Sequence, residues 1–308
     1  MKKMWVADVG LLVVAFIWGT TFVVVQDAVA VIPPLIFNGW RFLTGALVLL
    51  SIYLFLPDKS KKDINWKLIR NGMLLGLILF IGYGTQTLGL LYTTSSKAAF
   101  ITGLSVILVP LLSFLFLKQA PKKTALIGVI LATIGLYLLT MVNSLSLNRG
   151  DLLALFCAFA FGLHIIMTAK ITNEFSSFLL TIVQLLTVSL LSFVSGSLLN
   201  GLPATFDITP FKNGQVLFAC LFTAVFATAI AFLFQTRLQR YTSPTHVGLI
   251  FIMEPVFAAL TALIWAHESL KPATEIGGLL IIAGMVLAEW PEKTKKRLVQ
   301  SGKTIQEK

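Results

Sequence analysis

The side chains able to do chemistry in this chain are few, and they lie inside apolar stretches. Glu254 is followed by Pro255 in the middle of one such stretch, 244–266. Proline removes a helical hydrogen bond and clashes with the preceding turn. A carboxylate beside freed carbonyls could bind a proton or the cationic part of a substrate; a structural carboxylate is the alternative. Arg41, Gln86 and Lys97 form one polar trio on neighbouring stretches, and Gln184, Gln235 and His246 form another. Trp18, Thr20, Thr21 and Phe22 flank Gly19, and Tyr83 stands between Gly82 and Gly84. Small residues let helices approach closely, and aromatic rings beside them either pack or stack on a flat substrate. His164 is a further candidate, as proton carrier or as a hydrogen-bonded structural group. An ionisable group at a bilayer centre costs roughly 2.5–3.5 kcal/mol or more, so these groups are the first functional candidates.

The elements that must position them are membrane helices. Of 308 residues, 57% are hydrophobic and 12% charged, against about 25% charged in soluble domains. Ten apolar spans can be drawn, at 6–25, 35–56, 68–91, 95–117, 124–141, 151–169, 178–199, 213–236, 244–266 and 275–290. Most reach the roughly 20 residues that cross hydrocarbon. The alternation of barrel strands is absent. Pro33-Pro34, Pro57, Pro121, Pro203, Pro210, Pro272 and Pro291 fall between spans, where helix breakers belong. The first apolar stretch lacks a small-residue cleavage site and reads as a retained span.

The net charge of +11 does not point to nucleic acid, because the basic residues sit in short loops between spans. With a cytoplasmic N-terminus, Lys97, Arg149, Lys212 and Lys271 lie outside, Arg41 lies within a span, and the other 19 of the 24 Lys and Arg lie inside. That bias predicts both termini in the cytoplasm of a plasma-membrane protein. Arg41, Gln86 and Lys97 then fall in the outer third, and Gln184, Gln235 and His246 in the inner third. The two trios read as outer and inner gates, with His246 titratable. Snorkelling of Lys97 and a helix-end contact for Arg41 are the simpler alternatives.

The chain also repeats. At an offset of 143, Asp8 falls on Asp151, Gly19 on Gly162 and Arg41 on Gln184; around the third span the offset becomes 149, setting Gln86 on Gln235, Lys97 on His246 and Ser105 on Glu254. Five spans per half is an odd number, so the second half enters the membrane upside down. Inverted repeats of this kind are used by many secondary transporters. The expected organisation is a five-helix repeat over 1–147, an inverted one over 148–291, and a basic cytoplasmic tail at 292–308. Gly128, Gly135, Gly277, Gly278 and Gly284 lie at matching places in spans five and ten, which are assigned to packing or dimer contacts.

WGTTFVVVQDA (18–28), Arg41-Phe42, SSKAAFITGLSVILVPLLS (95–113) and MEPVFAALTALIWAHESL (253–270) resemble the EamA-type members of the drug/metabolite transporter superfamily. The resemblance covers about residues 5–290. It implies a ten-helix fold around a central cavity and export of amino acids, other metabolites or toxic compounds. Family members often carry Gly-Glu after the fourth span; here Lys118-Gln119 stands there, while His267-Glu268 keeps an acid at the matching place.

The expectation is an all-α integral membrane protein that exports a small molecule by alternating access, as a monomer or homodimer in the bilayer. Substrate contacts are expected from Trp18, Thr21, Phe22, Tyr83, His164 and Glu254. No phosphate loop of the G-x-x-x-x-G-K-[ST] type is present, so the chain has no nucleotide-driven step of that kind. A lipid-modifying enzyme would need clustered His and carboxylates, and only His267-Glu268 forms such a pair. A channel would need a filter-like segment. Cys157 and Cys220 read as buried thiols, and no cofactor or metal is expected.

Overall fold

The computed structural model describes residues 2–56, 64–118, 120–140, 148–265 and 272–289. His267-Glu268, Gln119 and the tail at 292–308 lie outside them. Apolar runs become helices here because a helix satisfies every backbone donor and acceptor within its own segment, which hydrocarbon requires. The elements are α1 (Lys2–Val29), α2 (Pro34–Leu54), α3 (Trp66–Gly89), α4 (Ser95–Gly103), α5 (Ser105–Leu117), α6 (Lys123–Thr140), α7 (Arg149–Ile171), α8 (Ser177–Asn200), the short α9 (Leu202–Phe206), α10 (Gly214–Phe222), α11 (Ala231–Leu238), α12 (Pro244–Phe251), α13 (Met253–Trp265) and α14 (Pro272–Glu289). A π-helical segment, Thr223–Ile230, joins α10 to α11.

Among the described residues, eight helices are long and apolar enough to cross a membrane, and two more, Lys123–Leu138 and Pro272–Ala288, are apolar but shorter. Large apolar side chains cover the outside: Leu115 is 70% exposed, Leu190 64% and Leu279 67%. A water-soluble monomer rarely presents such continuous apolar surface; a lipid-facing one must.

Local signals set the helix ends. Asn65 accepts from the Leu68 amide, and Asn148 and Asp151 form a reciprocal capping box at α7. Each cap satisfies amides that the helix start would otherwise leave without a partner. Lys118 closes α5 in the left-handed region at φ 54°.

Two spans drawn as single helices are broken. The fourth divides at Leu104 and the ninth at Ile252, at nearly matching places in the repeat. For the ninth the cause is visible. Pro255 has no N–H, so the carbonyl four residues back, on Phe251, loses its helical partner, and α12 ends at Phe251. Pro110 lies within α5, beyond the Leu104 break.

The halves interlock. Helix α2 packs on α8, α3 on α7 and α8, and α1 on α13, α12 and α11. The closest partnership joins α6 to α14. There a Cβ on Gly128 would meet the Gly284 carbonyl at 2.5 Å, and one on Gly135 would meet the Gly277 carbonyl at 2.5 Å. These glycines serve packing within the chain. Cys157 and Cys220 are free and buried.

Candidate functional site: a cavity at two helix breaks

The two breaks converge on one cavity. Gly103 and Ser105 flank the first break, and Phe251, Ile252, Glu254 and Pro255 form the second; all of them line it. Trp18, Thr21, Phe22, Tyr83 and His164 complete the six side chains expected at the substrate, and all six line the same cavity. Of the two trios, Arg41, Gln86 and Gln235 line it as well. Lys97, Gln184 and His246 lie outside its lining.

The wall is written twice. Trp18 and Phe161, Thr21 and His164, and Phe22 and Ile165 are related by the offset of 143, and each of these residues lines the cavity. Tyr83 and Phe232, Gln86 and Gln235, and Ser105 and Glu254 are related by 149 and do the same. Ring contacts repeat with them: Trp18 meets Phe232 at 5.4 Å, and its counterpart Phe161 meets Tyr83, the counterpart of Phe232, at 5.1 Å. Phe161, Phe232 and Phe251 were not singled out from sequence. Their signal was available as the repeat images of Trp18, Tyr83 and Thr102.

Each polar group has a definable setting. Arg41 is 2% exposed. Its Nε donates to Thr228 Oγ1 at 2.8 Å, and its guanidinium sits 5.1 Å from the Tyr83 ring centre and 5.4 Å from that of Phe42. Among the described residues no carboxylate forms an ion pair with it. Thr228 belongs to the π-helical segment, whose Ala227 carbonyl also accepts from Trp18 Nε1 at 2.8 Å. Such segments shift the register of the following turn and recur at functional sites. Here the segment presents one hydroxyl and one carbonyl to the cavity's Arg and Trp. His164 Nε2 lies 3.1 Å from Gln184 Oε1, and Gln184 Nε2 donates to Thr236 Oγ1 at 3.2 Å. Gln184 therefore holds His164 from behind.

Glu254 is half-buried, and its carbonyl lies against Gly19. A Cβ at Gly19 would collide with that carbonyl and reach Phe257 Cβ at 3.0 Å. Gly19 is thus what lets α1 approach the break. Gly82 similarly leaves room for the Phe161 ring.

Lys97 and His246 each face a carboxylate. Lys97 Nζ is 2.6 Å from Asp151 Oδ2, and both side chains are buried. His246 Nε2 is 3.3 Å from Asp8 Oδ1. Sequence reasoning used Asp8 and Asp151 only as markers of the repeat.

The cavity volume is about 70 Å³, below the roughly 300–1,000 Å³ of small-molecule sites. Among the described residues no group of His, Cys, Asp and Glu could hold a metal ion.

The same chain organisation occurs in other proteins. A model of the EamA-like transporter family matches residues 5–141 and again residues 148–290. An uncharacterized transporter of Archaeoglobus fulgidus is 36% identical over 282 residues, which cover 91% of this chain and 85% of that protein. The uncharacterized transporter YvbV of Bacillus subtilis is 27% identical over 282 residues, 91% of this chain and 90% of its own. The uncharacterized inner membrane transporter YedA of Escherichia coli K12 is 25% identical over 279 residues, 88% and 86% of the two chains. A solved crystal structure superimposes with a TM-score of 0.75 over 92% of this chain and 96% of its own, at 16% identity, a likeness of fold. With two tandem matches spanning nearly its whole length, the chain belongs to the EamA-like transporter family and is a multi-pass membrane transporter.

Proposed function

We propose that the protein is a secondary transporter that exports a small organic molecule bearing an acidic group, a basic group or both, by alternating access. The observation that carries this reading is the cavity's two ionisable groups, one basic and one acidic. Arg41 is buried with no carboxylate partner among the described residues, and Glu254 stands at a helix break in the same wall. A buried guanidinium is suited to a carboxylate or phosphate group, and a carboxylate beside freed carbonyls is suited to an ammonium. Aromatic rings between them fit an apolar body. An amino acid meets all three demands, and an amphipathic cationic drug meets two.

In this reading the chain crosses the plasma membrane ten times, as inverted five-helix repeats over 1–147 and 148–291, with both termini and the tail at 292–308 in the cytoplasm. The shorter helices α6 and α14 are the fifth and tenth crossings. Two halves that share one wall pattern can exchange conformations, so that opening toward one side mirrors opening toward the other. In this reading the transporting unit is one chain, alone or within a homodimer.

The test is flux in proteoliposomes with Glu254→Gln and Arg41→Gln, using radiolabelled amino acids and an organic cation as probes. Loss of cation flux in Glu254→Gln by tenfold or more, with amino-acid flux only weakened, identifies Glu254 as the cation site. Loss of amino-acid flux in Arg41→Gln identifies the anion site. Flux equal to that of the unmodified protein in both variants would refute the assignment.

A further inference from the structure

We propose that the two repeat-related ion pairs are the latches of the transporter, with Asp151 and Lys97 closing one mouth of the cavity and Asp8 and His246 closing the other. The inference rests on the alternating-access reading above and goes beyond it by naming the groups that hold each mouth shut.

Three independent features support it. The first is correspondence. Asp8 maps to Asp151 and Lys97 to His246 by the two offsets that relate the halves, and the structure places acid against base in both cases, hydrogen-bonded at Lys97–Asp151 and in looser contact at His246–Asp8. Even the caps correspond: Thr94 Oγ1 accepts from the Lys97 amide at 3.3 Å, and Ser243 Oγ accepts from the His246 amide at 3.3 Å.

The second feature is connectivity. Each pair crosses between the repeats. Asp8, near the start of α1, meets His246, near the start of α12. Asp151, near the start of α7, meets Lys97, near the start of α4. The first helix of each repeat is thereby tied to the broken helix of the other. A bond that spans the two moving bodies at a mouth must break when that mouth opens.

The third feature is inequality. The Lys97–Asp151 pair measures 2.6 Å, with side chains 6% and 2% exposed. Asp151 also accepts from Thr93 Oγ1 at 2.9 Å and from the Asn148 amide at 2.7 Å. The Asp8–His246 pair measures 3.3 Å, with side chains 14% and 17% exposed. Trp5 stands where the repeat has Asn148, so this end has no matching Asn cap. The pair also borders a second cavity of about 410 Å³, whose wall includes Lys122 and Thr242. The end bearing Asp8 is the looser latch. Alternation then depends on the strength of each pair, and exchanging their bases should exchange their bias.

The experiment reads accessibility and needs no substrate. A Ser105→Cys reporter in the full chain, with Cys157 and Cys220 replaced by Ala, is reacted with a membrane-impermeant maleimide from either side. Right-side-out and inside-out vesicles present the two faces. His246→Lys should slow labelling from the Asp8 side at least threefold and speed it from the Lys97 side; Asp8→Asn should do the reverse. Lys97→His should speed labelling from the Lys97 side. Each variant is first checked for a monodisperse profile in detergent. Should Lys97→His fail that check, the other two carry the test, because their pair is the less buried one. Equal changes from both sides, or no change in His246→Lys and Asp8→Asn, would overturn the latches. A protein that moves no probe in the flux assay yet shows the reciprocal labelling refutes the transport reading alone.

Discussion

Removing one member of the buried pair should cost more than removing both. In Lys97→Met the Asp151 carboxylate keeps the Thr93 hydroxyl at 2.9 Å and the Asn148 amide at 2.7 Å, but loses the ammonium at 2.6 Å. Its side chain is 2% exposed, so water cannot replace that partner. Breaking a buried ion pair from one side costs about 3–5 kcal/mol, because an uncompensated charge stays in a poor solvent. Replacing both partners by groups that keep local hydrogen bonds is nearly neutral by comparison. Lys97→Met with Asp151→Asn should therefore lose only about 1–2 kcal/mol, mostly the weakened capping box at α7. At roughly 2 °C per kcal/mol for a chain of this size, the single variant melts about 6–10 °C lower and the double about 2–4 °C lower. Thermal unfolding in a fixed detergent, followed by tryptophan fluorescence, measures all members of the cycle. A double variant whose loss equals the sum of the two single losses would refute the claim that the groups act as a pair.

Other outcomes follow from single contacts. Gly135→Val should unfold at markedly lower temperature, since its Cβ alone would meet the Gly277 carbonyl at 2.5 Å and the Ile281 amide nitrogen at 2.9 Å; the same thermal assay checks it. Trp18→Phe removes the donor to the Ala227 carbonyl. It should cost about 1–3 kcal/mol for the unsatisfied acceptor and reduce flux more than it reduces stability; unchanged flux would count against a role for the π-helical segment.

The helices themselves were legible because their cause is local. Apolar runs long enough to cross hydrocarbon must be helical, and Pro33-Pro34 and Pro272 mark their ends. The break before Glu254 was half legible: Pro255 announces a lost hydrogen bond, but not that the helix ends at Phe251. The break at Leu104 has no proline at its place and was invisible. Nor do the types in TAVFATAI (223–230) signal a π-helical turn, which depends on the neighbours Trp18 and Arg41 that it serves. Depth along a helix sets Arg41 and Gln86 in the outer third, and both line the cavity. Of the six residues expected at the substrate, Trp18, Tyr83 and Glu254 stand next to a glycine or proline, and all six line one cavity. The partners of Lys97 and His246 were missed because finding them requires combining two offsets with the interlocking of the halves. Asp8 and Asp151 stood in the sequence as a matched pair without a stated purpose.

The most direct measurement is net flux by the unmodified protein in proteoliposomes, with amino acids and organic cations offered one at a time, with and without a pH gradient. The account predicts saturable flux of at least one small charged organic molecule above that of protein-free liposomes. A monodisperse protein that moves none of them under either condition would contradict it.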